Sequence, residues 1–344
     1  MLNKAVAVIE PGVVEVVELP IPEYNDYECL VRVRAGSICN STDLKIINNH
    51  LPNKVVDFPT ILGHENAGEI IEIGKKVRSY KKGDRVMNAA GRVNKGSPYH
   101  LAFGALAQYG IAHDVSAMLE DGAPLPFKLA LEDYYCRVFP PDMSYEDGVI
   151  VMTMKENYSA MINFGVTAGM DVLVYGDGPV GLGLTSNLRI IGVNYIACAG
   201  HWDERLNKIK EIAKADIIIN VNNESAEEVL ADKKFDLIID AVGKIDILKQ
   251  AAPMLKPGGK FGMYGVLDKS EANINLLDLP NNINIHTYCY PYREQRMHDD
   301  VMALVASGKL VPKDYYSHVL PIDEAVKALE MIKTREAYKV ILSM

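Results

Sequence analysis

The stretch Asp171–Gly181, "DVLVYGDGPVG", is a short apolar run that ends in Gly176-Asp177-Gly178-Pro179-Val180-Gly181. It fits G-x-G-x-x-G, and it is flanked as that motif requires, by a strand before it and the helical "LGLTSNLRII" after it. In such a turn Gly176 allows the tight bend and Gly178 lets the backbone approach a pyrophosphate. Gly181 lets the helix pack closely on the strand, and the helix start at Pro179 and Val180 attracts phosphate. In isolation the same glycines would be an ordinary structural turn, or a nucleoside site of the methyltransferase kind. The strand–turn–helix context selects a dinucleotide.

An acid about 20 residues further on, at the end of the next strand, takes the ribose 2′-OH of NAD. After "YIACA" this chain has Gly200-His201-Trp202, with no acid before Asp203. A glycine removes the group that repels a 2′-phosphate, and His201 and Arg205 are placed to contact one. The sequence therefore favours NADP over NAD. The competing readings are that Asp203 reaches back, or that His201 is only a loop residue.

Outward from this turn the pattern repeats as strand, helix, strand. "NYIACAG", the polar "WDERLNKIKEIAKA" and "DIIINV" follow, then "FDLIIDAVG", "IDILKQAAPML", a "KPGG" turn, "KFGMYGV" and a last strand near "INIHTY". Such alternation implies a doubly wound parallel sheet. Upstream, "KENYSAMINFG" has helical spacing. The first 150 residues read differently, as short strands closed by glycines. "KAVAVIEPGVVEVVEL" is two strands around a Pro-Gly turn, and "CLVRVRAGSIC" alternates Val31, Val33 and Ala35 against Arg32 and Arg34. "AGEIIEIG" and "GDRVMNA" continue the pattern, which suggests a barrel or sandwich. After about Cys289 come two helical patterns, "EQRMHDDVMALVASG" and "IDEAVKALEMIKT", and a closing strand "KVILSM". There is no internal repeat.

The length of 344 residues suggests two domains, and 49% apolar with 24% charged residues describes a soluble globular chain. A net charge of −9 argues against nucleic acid or an anionic membrane as partner. No stretch of about 18 apolar residues exists, so no membrane span is expected. "MLNKAVAVIEPG" meets Glu10 before a long apolar run develops, so no secretory leader is expected. Cys29, Cys39, Cys136, Cys198 and Cys289 are odd in number and scattered, which suits the reducing cytoplasm.

Cys39, in "AGSICNSTDLKI", is followed 25 residues later by His64-Glu65 in "LGHENAG". A thiolate and an imidazole suit zinc, and a catalytic zinc takes three protein ligands and keeps one open position. Each alone is more often a core thiol or a turn histidine. Taken with the glycine turn, "AGSICNSTDLKI", "PTILGHENAGEIIEIGKKVRSYKKGDRV", "DVLVYGDGPVG" and "SGKLVPKDYYSHVLPIDEAVKALEMI" resemble the zinc-dependent medium-chain alcohol and polyol dehydrogenase family over nearly the whole chain. The resemblance implies an α/β chain: a GroES-like β-barrel catalytic domain at 1–151, a Rossmann domain at 152–288 with a doubly wound parallel sheet, and a segment 289–344 returning to the catalytic domain. It implies Cys39 and His64 as zinc ligands and Glu65 as a carboxylate that enters the coordination sphere intermittently. Ser41 or Thr42 becomes the hydroxyl that takes the substrate proton, and Lys45 a contact to the nicotinamide ribose. It also implies a homodimer or homotetramer.

Three departures stand out. The family has cysteine, two residues and aspartate, whereas Cys39-Asn40-Ser41-Thr42-Asp43 is one residue longer, leaving the relay hydroxyl open between Ser41 and Thr42. Residues 88–110, where relatives with a structural zinc carry four cysteines, have none, so one catalytic zinc and no structural zinc is expected. Counting back from Gly176 to the family's next ligand lands on Met152, and a thioether is a poor zinc ligand. Glu156, one helical turn on, then either completes the zinc site or handles a proton.

The implied reaction is hydride transfer between NADP(H) or NAD(H) and a secondary alcohol or ketone. Polar candidates for the substrate pocket are Asn40, Tyr109, Lys155, Glu156 and Asn157, with His286, Tyr288, Arg293 and Arg296. They suit a polyol, sugar or sugar acid. The rival readings are a zinc-free quinone or enone reductase of the same superfamily, kept open by Met152, and a non-enzymatic nucleotide-binding protein.

Overall fold

The alternating segment around Val31 and Val33 is the strand Glu28–Ser37. Cys29, Val31, Val33 and Ala35 are fully buried, while Arg34 is exposed and the Arg32 guanidinium lies 4.6 Å over the Tyr109 ring. The computed structural model containing it describes residues 2–51, 56–125, 136–268, 273–288 and 292–344. These divide into two units. One is Met1–Thr153 with His298–Met302 and Val311–Met344; the other is Met154–Met297 with Ala303–Leu310.

In the first unit the hairpin Leu2–Glu10 and Val13–Pro20 turns at Pro11-Gly12, as its sequence predicts. It joins Thr60–Ile61 and His100–Leu101 in a four-stranded sheet. Among the described residues a seven-stranded sheet is built around Glu28–Ser37, which pairs antiparallel with Glu65–Ile73, with Tyr109–His113 and with the closing strand Val340–Ser343. The strand His318–Pro321 was not legible in the sequence because it is only four residues long and none of them is buried; it pairs parallel with Val340–Ser343. Between the sheets lies a core of Val6, Val8, Ile38, Leu62, Leu106, Leu329 and Leu342.

Among the described residues the second unit holds six strands, all paired in parallel. In spatial order they are Ile217–Asn220, Tyr195–Gly200, Asp171–Tyr175, Phe235–Asp240, Leu255–Met263 and Asn284–Thr287. Numbered along the chain this is the order 3-2-1-4-5-6 of the doubly wound fold, in which ligands bind where the order reverses, beyond the strand ends. The glycine turn follows the strand Asp171–Tyr175, one of the two flanking that reversal. "KPGG", expected as a turn, is instead part of Leu255–Met263; the pairing with Phe235–Asp240 slips there, so the turn residues are absorbed as an irregularity of the strand.

The helix expected near residue 155 begins earlier, as Tyr145–Phe164. Residues 148–155 are buried all round, which erased the helical periodicity from the sequence. The helix starts in the first unit and passes into the second after Thr153. The sequence sets the domain boundaries at 151/152 and 288/289; the second adjoins residues 289–291, so Cys289 lies outside the described residues. Tyr292–Met297 stays with the second unit because the Tyr292 carbonyl accepts from Ser159 Oγ at 2.6 Å, and Gln295 Oε1 from Lys155 Nζ at 2.8 Å. His298–Met302 stays with the first, where Asp299 pairs with Arg137 at 2.9 Å. Cys29, Cys39, Cys136 and Cys198 are free thiols. Among the described residues no helix is long and apolar enough to cross a membrane.

Glu28, at the start of the central strand, is buried. Its Oε1 pairs with Arg92 Nη2 at 2.7 Å and faces His113 Nδ1 at 3.2 Å, and its Oε2 accepts the Asn25 N–H at 2.9 Å. Burial alone would raise this carboxyl, but the bonds from His113 and Arg92 outweigh it and hold it at about 2, against an ordinary 4.5. A carboxyl lowered on folding stabilises fully above its unfolded value and loses that stabilisation as pH falls through its folded one. Glu28→Gln is therefore expected to cost about 3 kcal/mol near neutrality. The wild-type and variant melting temperatures should converge as pH falls from 4.5 toward 2.

Candidate metal and dinucleotide sites

Cys39 follows the end of the strand Glu28–Ser37, and His64 and Glu65 stand at the start of the neighbouring strand Glu65–Ile73. Antiparallel pairing aligns Ser37 with Glu65, so the three donors converge at one end of the sheet. One ligand atom each from Cys39, His64 and Glu65 lies within 4.8 Å of the others; among the described residues these form the group of three or more metal-capable donors.

The extra residue after Cys39 does not displace the aspartate. Ser41 and Thr42 turn the chain into the short helix Thr42–Ile47, and Asp43, fully buried, accepts the Cys39 N–H at Oδ2 at 2.8 Å. Its Oδ1 faces His64 Nδ1 at 3.5 Å, which turns Nε2 toward the other donors, 3.8 Å from Glu65 Oε1. The Phe103 ring packs edge to face with the imidazole, their centroids 5.4 Å apart. Asn40 ties the loop down by donating to the Tyr338 carbonyl at 2.8 Å.

Burial would raise the Cys39 thiol, but the bond and charge of His64 carry it below its ordinary value. Burial would lower His64, but Asp43 and Cys39 raise it well above its ordinary value. The two shifts run in opposite directions: the pair favours sulfur as the anion and imidazole as the cation, and a divalent cation bound to deprotonated ligands would compete with that proton. Burial likewise opposes ionisation of Glu65, and the charges of Lys339 and His64 reverse it. The donor set of soft sulfur, imidazole and carboxylate fits zinc.

Lys339 was not legible as part of this site. It lies 274 positions from Glu65 and carries no motif. Its Nζ meets Glu65 Oε2 at 2.7 Å with both side chains buried. Ser37 Oγ also donates to Oε2, and Thr153 Oγ1 approaches Oε1 at 3.4 Å. Met152, which the sequence count places at the third-ligand position, precedes Thr153 and is buried. Glu156 is not one of the three clustered donors and belongs to the second unit. Ser41, Thr42 and Lys45 are half-buried on or beside the short helix.

Of the expected substrate-pocket residues, several have internal partners. The Tyr109 ring packs beneath Arg32. Lys155 is fully buried with its amine on Gln295, and the Tyr288 hydroxyl engages Ser159 at 2.9 Å and Asn163 at 3.0 Å. Asn157 is fully buried and its amide has no hydrogen-bond partner among the described residues.

In the second unit, Gly176 has a φ of +130°, a backbone favouring glycine. A Cβ on Gly181 would lie 1.9 Å from the Gly176 carbonyl oxygen, whereas one on Gly178 would meet nothing within 4 Å. Gly178 caps the helix Pro179–Ile191, with Pro179 at its first turn and Val180 next. This is the open cradle with a helix start that a pyrophosphate requires. Gly200 ends its strand, His201 is exposed, and Arg205 lies in the first turns of the helix Asp203–Ile212.

The chain matches the alcohol dehydrogenase GroES-like domain family over residues 25–120 and the zinc-binding dehydrogenase family over residues 179–307, together well over half its length. It belongs to the zinc-dependent medium-chain dehydrogenases. It is 25% identical over 353 residues to sorbitol dehydrogenase of Ovis aries, covering 99% of this chain and 96% of that protein. It is 27% identical over 325 residues to sorbitol dehydrogenase of Bacillus subtilis (strain 168), covering 92% and 90%. An alcohol dehydrogenase from Thermus sp. ATN1 superposes with a TM-score of 0.78 at 25% identity, covering 99% of both chains.

Two substitutions probe these sites independently. Gly181→Ala drives backbone against backbone and should abolish dinucleotide binding, with a lowered melting temperature. Gly178→Ala should leave the melting temperature unchanged yet weaken binding, read by nicotinamide fluorescence, by about ten-fold or more. Lys339→Met leaves Glu65 buried without its cation and should cost about 3–5 kcal/mol in urea denaturation, with Lys339→Arg recovering much of the loss.

Proposed function

We propose that this medium-chain dehydrogenase interconverts a secondary alcohol of a polyol, sugar or sugar acid with the corresponding ketone, transferring hydride to or from a nicotinamide dinucleotide. The observation that carries the reading is the Cys39–His64–Glu65 donor set, in a chain whose second unit has an open glycine cradle. The sorbitol dehydrogenases among its relatives support the polyol class.

In this reading Cys39 and His64 hold one zinc per chain, with Asp43 fixing the imidazole and Lys339 setting the charge of Glu65. Zinc, when held there, supplies positive charge that lowers the pKa of an alcohol oxygen. Ser41 or Thr42 takes the proton that leaves, and Lys45 contacts the nicotinamide ribose. Glu65, beside these two donors, would be the carboxylate able to enter a bound metal's coordination when solvent and substrate exchange. Glu156 either completes the ligand set or handles a proton. Gly176, Gly178 and Gly181 seat the pyrophosphate against the helix start at Pro179 and Val180, and the dinucleotide does the redox chemistry.

Between NADP and NAD, Gly200 with His201 and Arg205 speaks for NADP, whereas the carboxylate of Asp177, which accepts the backbone N–H groups of His201 and Trp202 at the same strand end, speaks for NAD. The enzyme is cytoplasmic, with a small-molecule partner and neither nucleic acid nor membrane. It assembles as a homodimer or homotetramer: Asn284–Thr287 is an edge strand with mostly exposed residues, and Leu276 and Leu277 nearby are 70% and 91% exposed. Met152 favours the zinc-free reductase as the second reading.

Metal analysis of the purified protein separates the two. About one zinc per chain is expected, lost in Cys39→Ser and His64→Ala, and chelation should stop turnover of a polyol panel. Metal-free protein that still reduces quinones or enones would replace the dehydrogenase reading with the reductase.

A further inference from the structure

Asp177, the second residue of the glycine turn, is buried, and its Oδ2 accepts the backbone N–H groups of His201 at 2.7 Å and Trp202 at 2.8 Å. His201 and Trp202 directly follow the strand Tyr195–Gly200. A carboxylate carried by the first strand's turn is thereby delivered to the end of the second strand. Gly200 makes the room: a Cβ there would lie 2.6 Å from Asp177 Cβ and 2.7 Å from its Oδ2. The space that a side chain at position 200 would enter is filled by the side chain of position 177. In this type of fold an acid at that strand end accepts the ribose 2′-OH of NAD. The sequence shows a glycine there; the structure shows an acid in the same space, arriving from another position.

We propose that Asp177 is the ribose-hydroxyl acceptor of the second unit and makes it select a nicotinamide dinucleotide that lacks a 2′-phosphate. The proposal rests on the dinucleotide reading of the glycine turn. Two amides fix Oδ2, and Oδ1 has no hydrogen-bond partner among the described residues, which leaves one oxygen of a fixed carboxylate free to accept. A fixed carboxylate attracts a hydroxyl proton and repels a phosphate dianion.

Asn222 Nδ2 donates to the His201 carbonyl at 2.7 Å and its Oδ1 faces His201 Nδ1 at 3.0 Å, so the loop that carries the two amides is itself held in place. Arg205 is the cation in this stretch that serves the opposite preference, so the two cases differ in a measurable ratio.

Direct titration of the whole protein with NADH and with NADPH, followed by nicotinamide fluorescence without substrate, decides it. The wild-type protein should bind NADH at least about ten-fold more tightly. In Asp177→Asn the amide oxygen still accepts the two backbone N–H groups, so the melting temperature should hold. NADH should weaken and NADPH tighten until the two lie within about three-fold. A second arm needs no variant: 5′-AMP should displace bound NADH more effectively than adenosine 2′,5′-bisphosphate. Wild-type binding of NADPH as tight as NADH overturns the proposal, as does an unchanged ratio in a folded Asp177→Asn protein. Binding of neither dinucleotide overturns the dinucleotide reading itself, and the proposal with it.

Discussion

Glu65 is a carboxylate taken almost entirely out of water, and burial of such a charge is unfavourable unless it is paired and hydrogen-bonded. Its partners come from four separated parts of the chain. Ser37 ends the central strand, His64 precedes it in sequence, Thr153 stands on the long helix, and Lys339 immediately precedes the closing strand. One ionic requirement therefore fastens the start, the middle and the end of the first unit to the same point. The donors Cys39 and His64 sit at that point, so the packing that satisfies Glu65 also sets their spacing. Asp43 adds a second constraint by holding the Cys39 backbone and facing the His64 ring with opposite oxygens of one carboxylate.

The second unit shows the same economy with backbone amides. Gly181 is required because the helix start touches the Gly176 carbonyl, and Gly200 because the Asp177 carboxylate occupies its side-chain space. Each glycine is explained by a particular atom at a stated distance. Two glycines that look alike in the sequence thus have different causes: one admits a backbone oxygen, the other a neighbouring residue's carboxylate.

Much of this was legible in the residues. The alternation of Val31 and Val33 against Arg32 and Arg34 determines a half-buried strand because successive side chains point to opposite faces. The glycine spacing at 176–181 determines a strand–turn–helix, and strand–helix repetition after it determines a parallel sheet. Cys39 and His64 were legible as donors because their chemistry is rare and their surroundings familiar. The buried start of the helix Tyr145–Phe164 was not, since a helix apolar on all sides carries no periodic signal. Nor was "KPGG" legible as strand, since an irregular strand reads as a turn.

What the sequence alone determined is the set of local elements and the chemical kinds of residue available, because both follow from neighbours a few positions apart. What only the tertiary structure decided is which distant residues share a charge. Lys339 reaches Glu65 across 274 positions, and Asp177 takes the space left by Gly200 across 23. Neither pairing leaves a trace in local spacing, because the contact is made by folded sheets that bring strand ends together and not by the chain between them.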